Sequence, residues 1–302
     1  MAVTSFNGDG GHRLRRVRFE PNEPGQALVA EKDGIHEADV RRGITVEDST
    51  IGFLNDDFFN VHSNLLVVYS CKGSSCLVLS PHVVPGEPQG FFSMLEATKP
   101  GDTMSFFPLI PKIPNQTSTS KLKPLLAEPV TIQSAERVTD SALRAQASAF
   151  AVALSNVSTN NIMHFAGPSF APDCFGPASC PHPVDLWRVT FGAALPAAVP
   201  SASLAGVNEL GSAGARLVGN NFTTTTCAAR WKSSNSTIAN NTFSHSAPSL
   251  TITYLQSWLE GPAEIEGVLI EGNTFHFGAG VNPITPNPID TSDIIQRGNH
   301  FV

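Results

Sequence analysis

ARLVGNNF at 215–222, STIANNTF at 236–243, GVLIEGNTF at 267–275 and DIIQRGNHF at 293–301 repeat one pattern: an apolar strand, an Asn, one further residue and a Phe. The phenylalanines, Phe222, Phe243, Phe275 and Phe301, stand 21, 32 and 26 residues apart. Periods of this size signal stacked repeats. Asn tolerates the left-handed turn conformation and bonds neighbouring backbone, so the asparagines are expected to form a ladder from coil to coil. The phenylalanines are expected to point inward and stack. The reading is an all-β chain, a parallel β-helix (solenoid).

Upstream, Arg13–Phe19 (RLRRVRF) roughly alternates and reads as one strand, and Ile44-Thr45-Val46-Glu47 as another. The run Leu65-Leu66-Val67-Val68-Tyr69 is continuously apolar, as strands buried on both faces are. From about residue 81 to 205 the periodicity is lost, and Pro and Gly punctuate the chain at Pro100-Gly101, Pro108–Pro114 and Pro168–Pro183. Short strands are expected at Thr103–Phe107, Pro129–Ile132 and Leu186–Phe191, while Ser141–Leu154 fits either a helix or a strand. Loops tolerate insertions, so the expected organisation is β-helix coils over 1–80, inserted small β modules over 81–205, and further coils over 206–302.

Composition agrees with turn-rich β structure. Hydrophobic residues make up 41% and charged residues 15%, with 24 Gly and 23 Pro among 302 residues. The net charge of −7 and the lack of a basic stripe argue against nucleic acid as a partner. No apolar run approaches membrane-spanning length. The opening MAVTSFNGDGGHRLRRVRF is neither a signal nor a transit peptide of ordinary form. Export is nevertheless expected. Cys71 and Cys76 are spaced for a local bridge, as are Cys174 and Cys180, with Cys227 left over. Sequons fall at Asn115, Asn156, Asn221, Asn235 and Asn240. The expectation is a secreted chain truncated at its start.

Chemistry concentrates in two clusters, Asp33-Gly34-Ile35-His36 and Asn55-Asp56-Asp57-Phe58-Phe59-Asn60-Val61-His62. Asp56 and Asp57 lie 23 and 24 positions beyond Asp33, about one coil. Residues one coil apart sit on neighbouring strands about 4.8 Å apart. The clusters are therefore expected to meet in one acidic patch, where close carboxylates shift each other's pKa and one site obtains both an acid and a base. Successive strand residues face opposite ways, so Asp56 and Asp57 share a cleft only if the backbone bends there. Asp and Asn are also favoured at turns for local reasons, which is the bland account of the same residues.

The set DG-x-H followed one coil later by DD-x-x-N-x-H resembles the exo-α-1,3-galactosidases of glycoside hydrolase family 110. The resemblance continues through Leu195-Pro196, Ala228-Ala229-Arg230, the NNTF coil, and Trp258-Leu259-Glu260-Gly261-Pro262 ahead of Val268-Leu269-Ile270. It covers most of the chain, with the middle matching loosely. The sequence departs from the family at Asn55, where Gly is usual, at Phe58 and Phe59, where smaller apolar residues stand, at Ser63, where Gly is common, and in a short coil after Arg230. The resemblance implies a right-handed β-helix with β-barrel inserts. It implies inverting hydrolysis of terminal α-1,3-linked galactose without a metal or other cofactor, with Asp33, Asp56 and Asp57 as the essential acids.

Inversion needs two carboxyl groups about 6.5–9.5 Å apart with a water between base and sugar. His36 and His62 are candidates to orient the acids or bond sugar hydroxyls. Arg230 is a candidate to clamp a hydroxyl or hold an aspartate ionised, Trp258 to stack on a sugar face, and Glu260 to bind beside it. Two other enzyme classes fit less well. A polygalacturonase-like hydrolase needs a basic, histidine-containing signature for uronate that is not found here. A pectate-lyase-like enzyme would use the aspartates to hold Ca²⁺. A non-catalytic adhesin or carbohydrate-binding protein would explain the Asn–Phe repeat equally well, but not the acid set.

Overall fold

In the computed structural model, the described residues are 3–23, 33–54, 56–80, 93–109, 123–156, 185–223, 229–244, 250–252, 259–276, 284–286 and 293–302. Most of Pro108–Pro114 and all of Pro168–Pro183 lie outside them, as do Asn55, Asn115, Trp258, Cys174, Cys180 and Cys227. Among the described residues the molecule is mostly β, with three parallel sheets, one closed antiparallel barrel and one α-helix.

The first sheet stacks Val3–Gly10, Ile35–Arg42, Phe59–Asn64, Ala229–Trp231, Leu250–Ile252 and Ile284–Pro286 in that order. The second stacks Arg13–Arg15, Thr45–Glu47, Arg216–Val218, Thr237–Ala239, Val268–Glu271 and Ile294–Arg297. The third stacks Arg18–Phe19, Thr50–Gly52, Asn221–Thr223, Thr242–Ser244, Thr274–His276 and His300–Phe301. The chain visits the sheets cyclically, one strand in each per pass. An apolar core between them takes Ile35, Phe59, Val61 and Trp231 from the first sheet, Val46, Leu217 and Ile270 from the second, and Ile51, Phe222 and Phe243 from the third.

The corner between the second and third sheets explains the repeat. One residue there takes a left-handed φ in every pass: Arg16, Asp48, Gly219, Asn240, Gly272 and Gly298, at +50 to +69°. Gly, Asn and Asp take this conformation at least cost. The next residue carries the ladder. Asn220 donates its backbone N–H and Nδ2 to Asn241 Oδ1 (2.9 and 3.0 Å). Asn241 does the same to Asn273 (2.9 and 3.0 Å), and Asn273 to Asn299 (3.0 and 3.0 Å). Two residues on, Phe222, Phe243, Phe275 and Phe301 stack with centroids 4.9, 4.9 and 5.4 Å apart. The ladder starts one pass earlier than the Asn motif: Ser49 N–H donates to Asn220 Oδ1 (3.0 Å), and Ile51 pairs with Phe222 in register.

Asn241→Ala removes the acceptor for two donors of Asn220 and leaves them buried. The expected cost is about 1–3 kcal/mol, read as a lower midpoint in urea denaturation with an unchanged m-value.

The barrel closes in the order Thr103–Phe107, Val130–Arg137, Asp185–Phe191, Ser75–Ser80, Leu66–Lys72, Leu204–Val207. It therefore includes two strands before residue 81, one of them the apolar run at Leu66. Residues 65–68 of that run are buried on both faces, as its continuous apolar character implied, but the strand lies in the antiparallel barrel. Leu66 and Val68 fill the barrel interior with Val78, Phe106, Val189 and Phe191. Leu65 and Val67 pack outside it with Leu79 and Leu186, and with Ala147, Ala151 and Leu154 of the helix Ser141–Asn156. Cys71 and Cys76 are disulfide-bonded across the Leu66–Lys72/Ser75–Ser80 hairpin. Arg41 fastens the barrel to the first sheet through a two-pronged pair with Asp102 (2.8 and 2.7 Å) and a bond to the Ala97 carbonyl (3.0 Å). The barrel enters the chain directly after Phe59–Asn64, the strand that carries His62.

Candidate functional site

The parallel pairing of Ile35–Arg42 with Phe59–Asn64 sets His36 opposite Asn60 and Ala38 opposite His62. Just before these strands, Gly34 N–H donates to the Asp57 carbonyl (2.9 Å) and Ile35 N–H to that of Phe58 (3.1 Å). Asp33 thus lies beside Asp56 and Asp57. These two residues are not in a strand: the chain bends at Asp56, and Asp57 N–H turns back to Asp56 Oδ1 (3.1 Å). The bend lets both side chains face one side. One oxygen each of Asp33, Asp56 and Asp57 lies within 4.8 Å of the others.

Burial dominates the electrostatics. Asp57 is 3% exposed, and burial pushes its carboxyl up to about 7. The Arg230 and Lys232 cations pull it down, and the Asp33 charge adds to the rise. Its Oδ2 accepts from Arg230 Nε at 2.7 Å, while its Oδ1 is buried without a partner among the described residues. Asp56, half-buried, is also raised, first by burial and then by Asp33.

Behind the acids runs a buried polar chain. Asp33 Oδ2 is 2.8 Å from His36 Nδ1, and His36 Nε2 is 2.8 Å from His62 Nε2. His62 Nδ1 donates to the Ser63 carbonyl (3.1 Å). Burial drives the His62 ring down to about 3, against the pull of Glu260, so it is neutral. Glu260 reaches the site because Glu260–Gly261 pairs antiparallel with Phe59–Asn64, with Glu260 opposite Asn64. Its Oε1 is 3.8 Å from His62 Nε2, and its Oε2 is 3.0 Å from Lys232 Nζ. Burial raises the Glu260 carboxyl, but Lys232 above all, followed by the two histidines, outweighs it and holds it well below the usual carboxylate range.

Lys232, fully buried, also donates to Asn60 Oδ1 (2.8 Å). Sequence reading did not single it out. The signal available was positional: Trp231 pairs with Val61, which carries Lys232 to the level of His62. Asn60 proves to be the lysine's acceptor. The structure brings together Asp33, His36, Asp56, Asp57, His62, Arg230 and Glu260, and Trp258 lies outside the described residues. A cation could be held by three acids this close, but Arg230 and His36 already contact oxygens of Asp57 and Asp33.

A scan against protein-family models and a search of curated proteins return no match. Among the described residues, no helix is long and apolar enough to cross a membrane.

Proposed function

We propose that the three parallel sheets are the faces of one β-helix, and that the chain is a glycoside hydrolase that removes terminal α-1,3-linked galactose. Cyclic visits to three parallel sheets support the β-helix, and connections between parallel strands are almost always right-handed. The observation that carries the hydrolase reading is the convergence of three aspartates from successive passes, one of which, Asp57, keeps its proton near neutral pH. A glycosidase needs such a split between a proton donor and an ionised partner. Asp57 serves as the acid toward the leaving oxygen. Asp33 and Asp56 are the carboxylates that take the proton of the attacking water. The galactose preference and inversion rest on the family resemblance. One oxygen of each aspartate lies within 4.8 Å of the others, nearer the spacing of retaining pairs than the 6.5–9.5 Å of inverting ones, so inversion rests on the resemblance alone. The Cys71–Cys76 disulfide supports an oxidising, extracellular setting.

The test is release of free galactose from α-1,3-, α-1,4- and α-1,6-galactosides with and without EDTA. The reading expects release from the α-1,3 linkage, unchanged by EDTA. Release that disappears with EDTA would move the aspartates from proton transfer to cation binding. No release by folded protein would favour a non-catalytic carbohydrate-binding β-helix.

A further inference from the structure

We propose that Asn60 is a ligand-binding residue whose Nδ2 donates a hydrogen bond to a hydroxyl of a sugar held beside the three aspartates. The buried Lys232 fixes the amide for that task. Phe59 and Val61 turn into the core, and successive strand residues face opposite ways, so Asn60 faces the other side of the sheet. There it stands in register between His36 on one neighbouring strand and Arg230 on the other. These two contact Asp33 and Asp57, so Asn60 shares the face of the acids. Lys232 Nζ lies 2.8 Å from Asn60 Oδ1 and pairs with Glu260 Oε2 at 3.0 Å. An ammonium has donors only, so the amide must turn its oxygen to the lysine. The amide nitrogen, with its two N–H donors, then lies on the far side of the amide carbon from the lysine. Asn60 is 5% exposed, and among the described residues its Nδ2 meets no acceptor.

A polar group this buried is as a rule satisfied, so the amide nitrogen calls for an oxygen that a ligand supplies. The neighbouring groups set the class of that ligand. Asp33, Asp56 and Asp57 bring carboxyl oxygens within 4.8 Å of one another. A hydroxyl both donates and accepts, so a single sugar hydroxyl can give its proton to a carboxylate and accept from Asn60. An anionic ligand fits poorly, because Arg230 is already paired with Asp57 and Lys232 with Glu260. The chemistry is that of a neutral polyhydroxy ligand.

That the sugar is galactose rests on the glycosidase reading above; the donor itself rests on the Asn60–Lys232 geometry. The test is a titration of nitrogen-labelled protein with D-galactose, followed by NMR of the Asn60 side-chain NH₂ pair. Asn60→Asp keeps an oxygen for Lys232 but loses the donor, and the pair is identified by its absence from the spectrum of that variant. The expected result is that both NH₂ signals move along the binding curve of the sugar. Asn60→Asp is expected to bind D-galactose about tenfold more weakly, the loss of one hydrogen bond. NH₂ signals that stay in place while other resonances shift, or equal affinity of the two proteins, overturn the proposal. Galactosides cleaved with the NH₂ pair unmoved would sink the donor and keep the hydrolase. An NH₂ pair that moves in a protein that cleaves nothing would keep the donor and sink the hydrolase. No response to saturating D-galactose anywhere in the spectrum overturns the donor and the galactose preference together. If Asn60→Asp does not fold, full assignment of the wild type identifies the pair, and its movement decides alone.

Discussion

If the proposed glycosidase reading holds, Asp57→Asn is expected to lower galactose release by about 10²–10⁴-fold, the usual contribution of a positioned acid or base. The amide keeps the size of the side chain and a partner for Arg230, so KM and the folded state change little. The loss arises because an amide does not deliver a proton to the leaving oxygen. In the wild type, the carboxyl raised to about 7 by burial predicts the pH profile. Activity needs the protonated form, so kcat/KM falls as pH rises through about 7. Asp56, raised as well, must be ionised to act as base and defines the acid limb. Arg230→Lys keeps a cation near Asp57 but loses the geometry of the guanidinium contact at 2.7 Å; it therefore shifts the alkaline limb rather than abolishing it.

Lys232→Met destabilises the protein by about 3–5 kcal/mol, the cost of leaving one member of a buried ion pair without its partner. Lys232 is fully buried and the Glu260 side chain is 13% exposed, so solvent screening softens the loss only a little. The pH dependence follows from the sign of the Glu260 shift. Its folded-state carboxyl is held below the usual range, so its stabilisation is present above about pH 4.3, where an unfolded Glu is ionised. That stabilisation is lost as pH falls below this range. The gap between wild type and Lys232→Met is therefore widest near neutral pH and narrows in acid. Lys232→Met combined with Glu260→Leu removes both charges, and the double variant is expected to regain most of the lost stability. Urea denaturation of the three proteins at pH 7 and pH 4 measures all of this.

Much of the fold was legible because the corner between the second and third sheets imposes a local rule. A left-handed residue, a ladder Asn and an inward Phe recur together, and they can be read from four passes without any structure. The two earlier passes were harder to see. Arg16 and Asp48 take the left-handed corner in place of Gly or Asn, Ser49 takes the place of the first ladder Asn, and Phe19 and Ile51 pair at the Phe position. The barrel was legible only as a loss of period. Its first strand, at Leu66, reads as continuously apolar because one face fills the barrel and the other meets the helix. A run without alternation does not tell a parallel strand from an antiparallel one.

The acid set was legible because a spacing of 24 residues matched one pass, and the bend at Asp56 removed the objection that neighbours on a strand face opposite ways. Lys232 was not legible. A single lysine after a tryptophan carries no pattern, and only the register with Phe59–Asn64 and the arrival of Glu260 on an antiparallel strand give it a partner.

The most direct test of the account is proton NMR of the sugar as it is released from an α-1,3-linked galactoside, recorded before mutarotation. β-Galactose appearing first is the predicted result. It requires a single displacement by a water that Asp33 and Asp56 activate while Asp57 protonates the leaving oxygen. α-Galactose appearing first would mean two displacements through a covalent intermediate, and no galactose at all from folded protein would mean that the three aspartates do not perform hydrolysis; either contradicts the account.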